Sequence, residues 1–328
     1  MKLALLAVAA IVLLAAGALF VFRARNRAAH GPHGPLAPLA NDERALAAEL
    51  RRDVEQLCAR GPRNVSIPPV LEAAARTIER AFADAGYRVT RQTYVTSLDG
   101  LPVANIEAEL RGASDEIVVI GAHYDSAGDA PGADDNASGV AALLALGRRM
   151  AKTKPARTLR FVAFVDEEPP HFQTRDMGSW QYASRCHKRG ERVVAMLALE
   201  SLGYYDARRG SQTYPAMLRA LYPDTGDFVA FAGNVASRAL LARVVRTFRT
   251  HGTMPAQSAA LPPFVQEAGW SDNWSFWQFS IPAVMVTDTA LYRNPNYHRT
   301  TDTPETLDYE RLSRATLALA AVVRDLVQ

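Results

Sequence analysis

Four short runs of almost unbroken apolar residues constrain this chain most: IVVIGA (117–122), LRFVAFV (159–165), VVAMLAL (193–199) and IPAVMV (281–286). A strand with one wet face alternates apolar and polar side chains, so runs without alternation belong to strands covered on both faces by helices. The intervening sequence supplies those helices. Asn41 or Asp42 caps one that carries Leu46, Leu50, Val54 and Leu57 on a single stripe. Pro68 and Pro69 open a second, with Ile78 and Phe82 inward, which ends at Gly86. Further helices are expected over Ser138–Lys152 and Asp308–Gln328. Ile106, Ala108 and Leu110 alternate with Glu107, Glu109 and Arg111, which predicts a half-wet strand near a sheet edge. The fold class is therefore α/β, a three-layer arrangement with a mixed, mostly parallel central sheet flanked by helices.

The first 27 residues stand apart from this pattern. From Leu3 to Phe22 there are 20 consecutive uncharged residues, and at ~1.5 Å per residue they reach ~30 Å, the thickness of a hydrocarbon core. The apolar region of a cleaved signal is usually about 7 to 15 residues long, so an uncleaved transmembrane helix with its flank (1–27) is expected. Residues 28–41, AAHGPHGPLAPLAN, read as a Pro/Gly linker in which His30 and His33 are solvated, and 42–328 as the folded domain. Lys2 precedes the span while Arg23, Arg25 and Arg27 follow it, which leans towards a cytoplasmic domain. A span at the start of a chain can also act as its own export signal, and the catalytic domain is expected on the extracytoplasmic face.

Lys+Arg 37 against Asp+Glu 34 gives a net charge of +3, without the strong positive clustering that nucleic-acid binding needs. No nucleic-acid partner is expected. Cys58 and Cys186 form neither a CxxC pair nor a disulfide framework and read as small buried hydrophobes.

The residues just beyond each apolar run carry the chemistry. After the first run comes His123-Tyr124-Asp125; after the second, Asp166-Glu167-Glu168; after the third, Glu200; after the fourth and a loop, Tyr297-His298. Ligands of open α/β sheets bind beyond the carboxyl ends of the strands, so these scattered residues converge on one place. Between the first two runs lies PGADDNASG (131–139), where Asp134 and Asp135 occupy a tight turn ahead of a helix. Alone it reads equally well as a helix cap; in this company it reads as a ligand loop. Imidazole with carboxylates suits zinc, and a shared carboxylate can hold two ions about 3.5 to 4 Å apart.

At these positions the chain resembles the zinc aminopeptidases of peptidase family M28. That family's hallmarks are a His-x-Asp after one strand, a Gly-Ala-Asp-Asp-x-x-Ser-Gly loop, a Glu-Glu pair after the next and a late Tyr-His. Here they stand as His123-Tyr124-Asp125, Gly132 to Gly139, Glu167-Glu168 and Tyr297-His298, in the family's order. The resemblance implies a zinc-exopeptidase fold over roughly residues 42–328, two zinc ions and a peptide substrate. It implies that Asp135 bridges the ions, with His123 and Glu200 completing one site and Glu168 with His298 the other. Glu200 stands where the family usually has Asp. Glu167 would be the general base, Tyr297 a donor to the oxyanion and Asp125 the residue that orients His123, while Asp134 belongs to the turn.

The expected activity is removal of residues from the free amino ends of peptides by a dizinc-activated water. Two alternatives share the fold: a glutaminyl-cyclase-like acyltransferase with one zinc, and a non-catalytic receptor or scaffold domain. PPHFQTRDM (169–177) enlarges the loop after the Glu-Glu pair, with His171 expected to be solvated. Ser201–Val265 is expected to form a cleft wall. Trp270, Trp274, Phe276 and Trp277 are expected in the core.

Overall fold

The computed structural model describes residues 36–215 and 218–328. The predicted span Leu3–Phe22 and the first part of the linker lie outside these residues. Among the described residues no helix is long and apolar enough to cross a membrane.

In chain order the elements are α1 (Asn41–Cys58), α2 (Pro68–Asp84), β1 (Val89–Val95), β2 (Pro102–Leu110), β3 (Glu116–His123), α3 (Gly139–Met150), β4 (Thr158–Phe164), α4 (Gly178–Lys188), β5 (Arg192–Glu200), β6 (Val229–Asn234), α5 (Arg238–His251), β7 (Ala256–Leu261), α6 (Asn273–Trp277), β8 (Ala283–Thr287) and α7 (Tyr309–Leu326). The eight strands form one sheet in the order β1-β2-β4-β3-β5-β8-β6-β7. Its centre, β4-β3-β5-β8, is parallel; β2 and β6 run against it, so the sheet is mixed.

The four apolar runs occupy that parallel centre, and their two-sided burial is direct. On one face Val118, Ile120 and Leu197 pack with Leu50, Phe82, Leu146, Phe248 and Leu319 from α1, α2, α3, α5 and α7. On the other, Val119, Val162 and Met196 pack with Tyr182 and Cys186 of α4 and Phe276 of α6. Helix, sheet and helix make the three layers, because each apolar run presents two faces that both need cover. Cys186 is buried and Cys58 half-buried, and both are free thiols.

The expectation for β2 holds in its place and changes in its wet face. β2 lies next to the edge strand β1, paired with β1 on one side and β4 on the other, and its polar face is only partly wet. Glu107 is covered by α4, accepting hydrogen bonds from Tyr182 Oη at 2.7 Å and from Arg185 Nη2. Glu109 accepts from Arg160 Nε at 2.8 Å. Alternating charge here reports ion pairs beneath a helix, a pattern that sequence alone does not separate from exposure to water.

Candidate metal centre

β3 ends in His123 and its neighbour β5 in Glu200, so imidazole and carboxylate emerge side by side, with His123 Nε2 3.1 Å from Glu200 Oε2. The loop before α3 adds Asp135, whose Oδ1 lies 3.3 Å from His123 Nε2 and whose Oδ2 lies 3.1 Å from His298 Nε2. Glu168 Oε2 is 3.3 Å from that same His298 nitrogen. One carboxylate thus faces two imidazoles. Three-residue groupings able to hold an ion are His123 with Asp135 and Glu200, Asp135 with Glu168 and His298, and His123 with Glu167 and Glu168. Glu167 stands back from the others, its Oε2 3.9 Å from His123 Nε2. Asp125 sits behind His123, with Oδ1 3.5 Å from Nδ1, and its other oxygen accepts from the Glu168 amide at 2.9 Å.

The ligand loop is held from below. Arg63, fully buried between α1 and α2, donates from Nε to Tyr124 O at 2.8 Å and from Nη2 to Gly132 O at 2.8 Å. Gly132 has φ +64, and a Cβ there would meet Asp135 O at 2.4 Å, so no other residue fits that turn. Asn136 ties the loop to β5, donating to Leu199 O at 2.8 Å and accepting from Ser201 N at 3.0 Å. Asp134 turns away from the site as expected, accepting from Gly203 N at 2.8 Å and Asn294 Nδ2 at 2.7 Å. Asp302 accepts from the amides of Asp134 and Asp135 at 2.9 and 3.2 Å. Left-handed backbone occurs at Asp166 (φ 60), Ser201 (φ 43) and His298 (φ 57). Strain of this kind gathers where surrounding structure fixes functional side chains.

Electrostatics decide what the cluster can hold. Asp135, Glu167, Glu168 and Glu200 are all buried, and the nearest basic groups are two imidazoles. Among the described residues Glu168 Oε1 has no hydrogen-bond partner. Burial pushes the Glu168 carboxyl up and the Asp135 charge adds to it, against the opposing pull of His298, leaving it at about 7. Burial likewise carries Glu167 well above the ordinary range; His123 opposes this, and Glu168, Glu200 and Asp272 add to it. Asp135 moves the other way: burial would raise it, but its contacts with His123 and His298 hold it below the usual carboxylate range. Such an excess of buried negative charge around imidazole nitrogens fits divalent metal, and the oxygen and nitrogen donors suit zinc.

Tyr297 stacks on His298 with ring centroids 3.9 Å apart. Burial and the nearby carboxylates raise its phenol far above neutrality, so it keeps its proton. With Glu200 it borders a cavity of about 140 Å³ whose walls include Tyr214, Phe228, Phe231, Val265 and Met285. Within the segment 201–265, described residues from Tyr214 onwards therefore contribute a wall of the cleft. Two expectations change. Trp270 also lines this cavity, 38% exposed, while Phe276 alone of the aromatic group is fully buried. His171 is buried rather than solvated, its Nε2 3.2 Å from Asp99 Oδ2 in the β1–β2 turn, because the enlarged loop folds onto that hairpin.

Sequence reasoning missed several supports. Ser271 Oγ donates to Glu200 Oε2 at 2.8 Å, and Ser201 Oγ donates to Oε1 at 2.8 Å. Neither hydroxyl carries a signal beyond its place beside a ligand or an aromatic cluster. Asp302 follows His298 closely in HRTTD, which is the one hint it offers. Nothing in the pattern around Arg63 marks it.

The family model of peptidase family M28 matches residues 105–323. The Escherichia coli K12 protein YfbL is 38% identical over 262 residues, covering 77% of this chain and 80% of that protein. The chain belongs to peptidase family M28. A probable leucine aminopeptidase of Trichophyton verrucosum is 29% identical over 232 residues, and this alignment covers 66% of the chain but only 55% of the fungal protein. Among solved structures LapB of Legionella pneumophila superposes with a TM-score of 0.69 at 18% identity, covering 91% of this chain and 78% of that one. That likeness bears on the fold, the zinc-exopeptidase arrangement. Membership of M28 makes the chain a metallo-exopeptidase.

Proposed function

We propose that the chain is a zinc aminopeptidase that uses two ions held by His123, Asp135 and Glu200 on one side and by Asp135, Glu168 and His298 on the other. The observation that carries this reading is Asp135, whose two oxygens lie 3.3 and 3.1 Å from two different imidazoles. Zinc, when bound, supplies Lewis-acid polarisation of the scissile carbonyl and lowers the proton affinity of the attacking water. Glu167, close to the ligands but set back from them, takes the proton from that water and returns it to the departing amine. Its burial favours holding a proton between those two events. Tyr297, protonated at neutral pH, donates to the developing oxyanion. Asp125 fixes the tautomer that leaves His123 Nε2 free.

One feature favours the amino end of the peptide over the carboxyl end. Among the described residues the cavity beside the ligands is lined by no Lys, Arg or His, so nothing there neutralises a substrate carboxylate. The relative from Trichophyton verrucosum, a probable leucine aminopeptidase, agrees with this direction. The test is full-length protein in detergent, assayed for zinc content and for hydrolysis of aminoacyl amides beside their N-acetylated forms. Two ions and cleavage of the free amines alone support the reading; cleavage of the acetylated forms, or saturation at one ion with full activity, rejects it.

We also propose that the domain lies outside the cytoplasm, tethered by Leu3–Phe22, a run long enough to cross a hydrocarbon core. Protease added to intact cells should release an active soluble domain by cutting the linker. Protection until lysis would put the domain in the cytoplasm.

A further inference from the structure

The cavity beside Glu200 has a built direction. Across the sheet Glu200 pairs with Thr287, Thr287 with Ala230, and Ala230 with Gln257. Paired residues on adjacent strands point to the same face, so these four form one row, and all four line the cavity. At about 4.8 Å per strand, Gln257 stands about 14 Å from Glu200 along that row. The middle of the row is shallow: Ala230, and Ala232 two residues further along β6, leave the space that the cavity occupies. A side chain entering at the metal end therefore crosses Thr287 and Ala230 and meets Gln257.

Gln257 is only 3% exposed, and among the described residues neither its Oε1 nor its Nε2 has a hydrogen-bond partner. Three tyrosines on the wall are already engaged. Tyr214 donates to Pro223 O at 2.7 Å, Tyr222 to Ser258 O at 3.0 Å and Tyr292 to Glu267 Oε1 at 3.2 Å. The Gln257 amide is thus a donor and an acceptor at the far end of a cavity whose wall is mainly apolar. An apolar side chain that fills the cavity strips both atoms of water and replaces neither bond. A side chain ending in its own carboxamide meets both atoms with two parallel hydrogen bonds.

We propose that Gln257 makes this site selective for a carboxamide side chain on the amino-terminal residue, glutamine foremost. The proposal rests on the amino-end reading above. It departs from a purely apolar preference because a buried, unpaired amide discriminates against ligands that cannot bond to it, whereas extra apolar contact discriminates weakly.

Gln-Ala and Met-Ala provide the test, since methionine matches glutamine in length and lacks the amide. In the zinc-loaded full-length protein kcat/KM for Gln-Ala should exceed that for Met-Ala by about ten- to a hundredfold. Affinities of the two peptides for Glu167→Gln protein, measured by calorimetry, should show the same order without requiring turnover. Gln257→Met should abolish or invert the ratio and raise the melting temperature, because it removes an amide without a partner among the described residues. Should that variant fail to fold, Gln257→Glu, which keeps the size and loses the donor, should also reduce the ratio. Equal or Met-favoured binding, a ratio unchanged in the variants, or no binding of either peptide overturns the proposal. Preferential binding of Gln-Ala with no hydrolysis of any free-amine substrate would sink the aminopeptidase reading and leave the selectivity standing.

Discussion

The metal centre and the cavity share a border at Glu200 and Tyr297 and are built on opposite principles. The centre is made of presence: His123, Asp135, Glu168, Glu200 and His298 come from separate parts of the chain, and Arg63, Asn136, Ser271 and Asp302 hold them or their loop in place. The cavity is made of omission, a stretch of sheet where alanines at 230 and 232 leave room. Chemistry needs atoms at fixed places, whereas selectivity needs space of a given shape. Damage to the first should therefore be general and damage to the second particular to the substrate.

The largest effect should come from Asp135→Ala. One substitution strikes both groupings, so zinc content should fall well below one ion and kcat/KM by at least about 10³, the equivalent of several kcal/mol of transition-state charge stabilisation. Retention of one tightly bound ion, seen by elemental analysis, would show that Asp135 does not serve both. Glu167→Gln comes next, with a loss of about 10² to 10⁴ in turnover and zinc content unchanged; near-normal rates would remove Glu167 as the base.

Loading the metal-free protein should also depend on pH. Burial lowers the His298 pKa, but its contacts with Asp135 and Glu168 overcome this and raise it to about 10. A folded pKa above the unfolded value of about 6.5 stabilises metal-free protein fully below that pH and ceases to do so as pH rises through 10. Zinc must displace that proton, so apparent zinc affinity should climb as pH rises from 6 to 9, by about tenfold per unit for one displaced proton. A flat profile in competition titrations would show that His298 is neutral before zinc arrives.

On the other side of the border, Ala230→Leu should leave zinc content intact and cut kcat/KM for large amino-terminal residues by about 10- to 200-fold, sparing alanyl substrates. Equal losses for both would erase the distinction between centre and cavity. Ser271→Ala should give the smallest change, about 10- to 100-fold in affinity for one ion, since it removes a hydrogen bond to Glu200 and no ligand. Loss of both ions there would mean that Ser271 supports more than Glu200.

The same division explains what the sequence discloses. β3, β4, β5 and β8 are covered on both faces, so they read as apolar runs, and side chains at or just beyond their carboxyl ends could be named in advance. β1, β6 and β7 read poorly: VTRQTYV and AQSAAL contain no apolar run longer than three residues and VAFAGN only the short run VAFA, because these strands are partly covered and their pairing is set by tertiary contacts. The cavity is lined in large part by β6 and β7 and by the segments after them, so its shape could not be read either. An alanine that creates space looks like any other alanine. Asp302 and Arg63 were hidden for a related reason: they act on main-chain atoms, which leave no matching residue type at the other end.

Arg63 has one more implication. The match to the family model begins at residue 105, yet the guanidinium clamped beneath the ligand loop comes from the link between α1 and α2. A fragment cut at the start of the matched stretch would keep every candidate ligand and lose the clasp beneath their loop. Recognition and support therefore have different boundaries in this protein: the stretch that marks the family is shorter than the piece of chain that holds the ligand loop in place.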